Sequence, residues 1–114
     1  MPIEQRTTAL PGVPGVGVFL CPGHTWGQQA VTFVDTAGQR VVFVPDCMPT
    51  VWHVGQAYSL AYDVEPYTSS VTRHWLLNAA AAEKWLLVLD HEPGNPLQRV
   101  ASNGKGWFDL VPQV

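Results

Sequence analysis

At 114 residues the chain is sized for one domain with a modest hydrophobic core, and its 46% apolar content and five tryptophans exclude a disordered polymer. A net charge of −3, with only 13% charged residues, leaves no basic footprint for nucleic acid or an anionic membrane surface. No apolar run approaches the ~18 residues of a membrane span, and the opening MPIEQRTTALPG has no signal-peptide core behind its charges. The expected compartment is therefore the cytoplasm, with Cys21 and Cys47 as thiols and not a disulfide.

Residues 1–15 are rich in Pro, Gly and Thr and read as an irregular lead-in to a domain spanning 16–114. That domain opens with a short apolar strand, Val16 to Leu20 (VGVFL). Gln29 to Asp35 (QAVTFVD) alternates as a second strand, and the turn Thr36-Ala37-Gly38-Gln39 joins it to a third, Arg40 to Val44 (RVVFV), as a hairpin. Residues 45–67 hold three prolines and no long period, which predicts a structured loop with at most one helical turn. From about Ser70 to Lys84 the apolar positions Val71, Trp75, Leu76, Ala79 and Ala82 follow helical spacing, with Ser69 or Ser70 as N-cap. Trp85 to Leu89 (WLLVL) is a continuous apolar run, expected of a strand covered on both faces. The tail QRVASNGKGWFDLV reads as two strands around Asn103-Gly104. The class is α/β: a mixed sheet with one main helix and a C-terminal β-hairpin.

Three strands run directly into polar chemistry. VGVFL leads to Cys21-Pro22-Gly23-His24, VVFV to Pro45-Asp46, and WLLVL to Asp90-His91. Two antiparallel pairings followed by a helical crossover put all three strand ends on one sheet edge, where α/β sheets place their sites. His24, Asp46 and His91 then converge, and two imidazoles with a carboxylate suit zinc or a similar divalent ion. Three unrelated loop residues are the plain alternative. A structural zinc at Cys21-x-x-His24 is another, and so are two buried, inert thiols. His53, Tyr62 and Asp63, before the helix, are candidates for the substrate side or for supporting the ligands, although Asp63-Val64-Glu65 also reads as a solvated turn. His74 is expected to face solvent or to serve as a surface partner. No Gly-rich phosphate cradle follows a strand, and no Gly-x-Ser-x-Gly elbow occurs.

Pro22 to Gly27 (PGHTWG), the aspartate at 46 and the histidine at 91 together resemble the C-terminal half of the metallo-β-lactamase superfamily, over about residues 16–100. The run PDCMPTVWHV…AYDVEP…AAAAEKWLLVLDHEP is most similar to the branch of quorum-quenching lactonases and related hydrolases. The resemblance implies one half of an αββα sandwich. It also implies that His24 is the third histidine of a first metal site, Asp46 the carboxylate bridging two metals, and His91 the last ligand of the second. In such a family the metals polarise a lactone or ester carbonyl and stabilise the oxyanion. The family's His-x-His-x-Asp-His motif has no counterpart here, because histidine occurs only at 24, 53, 74 and 91. Glu92 stands where the branch has an aspartate. The expectation is a part of a zinc-type hydrolase, inactive alone, that binds metal weakly. Its uncovered sheet face calls for a homodimer or for a complementing N-terminal half. A non-catalytic assembly module with relic ligand motifs, or a half-enzyme completed by another chain, are the alternatives.

Overall fold

Alternating apolar residues need a covered face, and the register of the strands decides which residues receive one. The computed structural model describes residues 3–55 and 63–113. In chain order they form α1 (Ile3–Arg6), β1 (Thr8–Ala9), β2 (Val16–Leu20), β3 (Gln29–Val34), β4 (Arg40–Val44), a 3-10 turn (Val51–His53), α2 (Pro66–Glu83), β5 (Leu86–Leu89), β6 (Leu97–Ser102) and β7 (Phe108–Pro112). Among the described residues the strands make one seven-stranded sheet in the order β1-β2-β3-β4-β5-β6-β7. All neighbours are antiparallel except β4 and β5, which are parallel across the α2 crossover. This is the mixed α/β sheet with one main helix and a C-terminal hairpin that the sequence predicts.

On one face Thr32, Val42 and Leu87 lie side by side across β3, β4 and β5. All three are buried, and Val42 and Leu87 share one core cluster with Leu76, Leu77 and Ala80 of α2 and with Trp85. The opposite face carries Val18, Val31, Phe43, Val88 and Leu97 in one row across β2 to β6. No helix of the described residues covers that row: Phe43 is 46% exposed, and Leu20 at the end of β2 is 56% exposed. The WLLVL run is thus buried on the helix side, through Leu87 and Leu89, and only half-buried on the other, through Leu86 and Val88.

Three local readings need correction. The lead-in is not irregular throughout, because buried Ile3 anchors α1 in the core and Thr8–Ala9 pairs with Val18 and Gly17. The helix starts at Pro66, earlier than its apolar period suggests, since proline's fixed φ and missing N–H suit the first helical position. Glu65 precedes it without a side-chain cap, and Ser69 lies buried inside the first turn. His74 is half-buried, its ring edge-on to Phe108 of the C-terminal hairpin at 5.7 Å, which is the partner arm of its reading and not the fully solvent-facing one. No helix of the described residues is long and apolar enough to cross a membrane.

Candidate metal centre

Gly23 begins the site. Its φ of +132° lies where L side chains rarely go, and an added Cβ would stand 2.2 Å from the Ser69 backbone nitrogen. That absence of a side chain lets the turn after β2 press against the first turn of α2. The contact is then fixed by hydrogen bonds from Glu65 N to Gly23 O (2.7 Å), Val64 N to His24 O (3.1 Å) and Thr72 Oγ1 to Pro22 O (2.8 Å). The docking brings Asp63, just before the helix, against His24, with Oδ1 at 2.8 Å from Nδ1. An ionised carboxylate only accepts, so Nδ1 carries the hydrogen, and in the neutral imidazole this leaves the Nε2 lone pair free to act as a ligand. That nitrogen lies 3.4 Å from Asp46 Oδ2. A carboxylate behind a histidine is the usual way of fixing a ligand's tautomer and orientation.

Asp46 follows β4 by two residues and His91 follows β5 by two, and Val44 and Leu89 are register partners in the parallel pair. The adjacent strand ends bring His91 Nε2 to 3.0 Å from Asp46 Oδ1 and to 3.6 Å from Asp90 Oδ2. Asp46 thus directs one oxygen towards each imidazole. Its Oδ1 is buried and makes no hydrogen bond, although His91 Nε2 lies 3.0 Å away. An unsatisfied, buried, negatively charged oxygen facing a nitrogen ligand fits a cation. Among the described residues, Asp46, Asp90 and His91 form the group whose ligand atoms all lie within 4.8 Å of one another. Burial, then the charge of Asp46, push the Asp90 carboxyl above its ordinary value, while His91 acts in the opposite direction.

The loops bearing these residues are tied together. His91 N donates to Pro49 O (3.2 Å), and Glu92 accepts from Val51 N through Oε1 (3.0 Å) and from Gly94 N through Oε2 (2.9 Å). Arg73, buried on α2, donates from Nε to Cys47 O (2.8 Å) and from Nη1 to Gly55 O (2.6 Å), pinning the chain beside Asp46. His53 bonds Thr50 Oγ1 through Nδ1 at 2.9 Å, and burial with the charge of Arg73 lowers its imidazole from the ordinary value. Tyr62 lies outside the described residues. Cys21 and Cys47 are both free and belong to the buried core, where the Cys47 contact and burial push the Cys21 thiol up, away from thiolate chemistry.

The sequence reading names His24, Asp46 and His91 as one constellation and Asp63 only as a residue of the substrate side or a support, with a solvated turn as its alternative. The structure places His24 and His91 beside Asp46 and Asp63 behind His24. It passes over Asp90, credited only as the neighbour of His91, and Arg73, whose helical position gives no sign of its two loop carbonyls.

No family model matches the chain, and no curated protein matches it. Solved structures do share its fold. AbOPH, a hydrolase in the beta-lactamase superfamily, superposes with a TM-score of 0.78 at 22% identity, over 90% of this chain and 35% of that one. AidC, a dizinc quorum-quenching lactonase, gives 0.79 at 18% identity, over 94% and 36% respectively. A probable metal-dependent hydrolase from Staphylococcus aureus gives 0.75 at 19%, over 96% and 39%. The chain thus has the fold of metallo-β-lactamase superfamily hydrolases while spanning little more than a third of their length.

Proposed function

We propose that these residues form the metal-binding C-terminal part of a metal-dependent hydrolase, acting on a lactone or ester once a second structural unit completes the site. The observation that carries this reading is the Asp46 carboxylate, with one oxygen 3.4 Å from His24 Nε2 and the other 3.0 Å from His91 Nε2. His24, Asp46 and His91 would hold zinc or a similar ion, with Asp46 shared between two positions, and the bound metal would supply Lewis acidity towards a substrate carbonyl. Asp63 orients His24 through its Nδ1–H. Glu92 holds the His91 turn to the loop that follows Asp46. His53, in that same loop, is the candidate for the substrate side. The other two described histidines are occupied elsewhere, His53 against Thr50 and His74 against Phe108, so the second unit would bring the remaining ligands, from another chain or from further sequence. The open row of apolar side chains on the sheet is where such a unit, or a second copy of the chain, would pack. Reduced thiols at Cys21 and Cys47 suit a cytoplasmic setting.

The test is metal content with activity. Purified protein should take up zinc that dialysis against a chelator removes, because few ligands are fixed, and His24→Ala or His91→Ala should weaken uptake by at least ~10-fold. Lactone, ester and β-lactam probes should turn over at background. Stoichiometric zinc surviving prolonged chelation, or turnover above roughly 1 s⁻¹ that disappears in Asp46→Ala, would overturn it.

A further inference from the structure

Residues at i and i+1 of a strand point to opposite faces, so a ligand and its sequence neighbour do not ordinarily serve one ion. Asp90 and His91 escape this constraint because the chain has already left β5 and turned. The turn is held by Glu92 N to Leu89 O (3.5 Å) and by His91 N to Pro49 O (3.2 Å). Both side chains consequently reach the space beside Asp46, where one ligand atom of each of the three residues lies within 4.8 Å of the other two. The nearer edges of this triangle are 3.0 Å and 3.6 Å. Ligand atoms on tetrahedral zinc, with bonds of ~2.0–2.1 Å, stand about 3.3 Å apart, so small side-chain rotations close the set on an ion. Two independent features point to a cation there. Carboxylates that follow two different strands are brought together against their mutual repulsion, and buried Asp46 Oδ1 makes no hydrogen bond.

We infer that Asp46, Asp90 and His91 form a three-ligand site for one divalent cation, in which Asp90 is a direct ligand. The inference rests on the metal-centre reading above and adds to it that one position is complete within this chain. Three protein ligands with an open coordination position is the arrangement of sites that act on a bound molecule, as opposed to closed structural sites. The donor set, two carboxylates and one imidazole, favours a first-row divalent ion such as zinc over a soft, thiolate-seeking one.

Zinc titration by calorimetry and cobalt(II) absorption spectroscopy test it on the full chain. The wild-type chain should bind one zinc ion, and Asp90→Asn should weaken that binding by about 100-fold with its melting temperature in the absence of metal unchanged. Asp90→Cys loaded with cobalt(II) should gain a near-ultraviolet thiolate-to-cobalt band. The wild-type protein lacks a thiol in the site, since Cys21 and Cys47 lie in the core. Binding by Asp90→Asn within about twofold of wild type, with His91→Ala defective, would overturn the role of Asp90 and leave the metal reading standing. No binding of either metal by the wild type would overturn both. Should Asp90→Asn fail to fold, as judged by circular dichroism, the spectrum of folded Asp90→Cys decides, and absence of the band sinks the proposal.

Discussion

His53 sits in the 3-10 turn beside Thr50, where burial and the charge of Arg73 hold its imidazole below the ordinary value. A lowered folded value means that, as pH falls through about 6.5, the unfolded chain takes up a proton that the folded chain refuses. Stability contributed by this residue is therefore present above about pH 6.5 and lost below it, until the folded value is passed. Wild-type protein should lose more melting temperature between about pH 7.5 and about pH 5.5 than His53→Gln does, as scanning calorimetry would record; equal losses would remove the effect. Individual residues differ in how far the sequence exposes them. His24, Asp46 and His91 are legible because each follows an apolar strand whose direction can be counted. Asp90 is hidden by the strand alternation rule, which stops applying one residue earlier than its position suggests.

Elements were legible where a period or a turn signal marks them, as in the two hairpins and the parallel pairing of β4 with β5. The start of α2 was not, because proline at the first helical position outweighs the serine cap signal downstream. Nor was the grip of that helix on the loop after β4. Arg73 reaches from α2 to two carbonyls, Cys47 O and Gly55 O, in a stretch with little regular structure of its own. Its Arg73→Leu variant leaves both carbonyls without that partner in a buried setting. A loss of about 3 kcal/mol in unfolding free energy is expected from two charge-assisted bonds, measured by urea denaturation. A loss under about 1 kcal/mol would mean that the loop holds itself. Zinc affinity should fall with it, since Cys47 is the next residue after Asp46.

At the scale of the molecule, the row from Val18 through Val31, Phe43 and Val88 to Leu97, half-buried to exposed, is an apolar face that no helix of the described residues covers. Apolar patches above a few hundred Å² seldom stay in water. Covering ~800 Å² per partner, half of it apolar, contributes about 10 kcal/mol per chain at ~25 cal/mol per Å², before association costs. A twofold pair of sheets is the simplest cover when no other unit is supplied, and sedimentation equilibrium at micromolar concentration should show a dimer. A well-folded monomer would remove this expectation. Charged substitutions at Phe43 should dissociate such a dimer, because that residue lies in the middle of the row.

The order of strands in the sheet is also the order of strands in the chain, and this has a kinetic meaning. Pairing β2 with β3 and β3 with β4 closes only short loops, so it costs little chain entropy and can proceed early. Those two hairpins alone deliver His24 and Asp46 to the same edge. His91 arrives only after the chain has traversed α2 and laid β5 alongside β4, the one connection in the sheet that closes a long loop. The constellation is thus assembled in sequence, with the Asp46 carboxylate in place first and waiting for its second imidazole. Anything that delays the crossover, such as a weakened α2, would slow the last ligand, and it would also loosen the turns of His24 and Asp46, which α2 holds through Thr72 and Arg73.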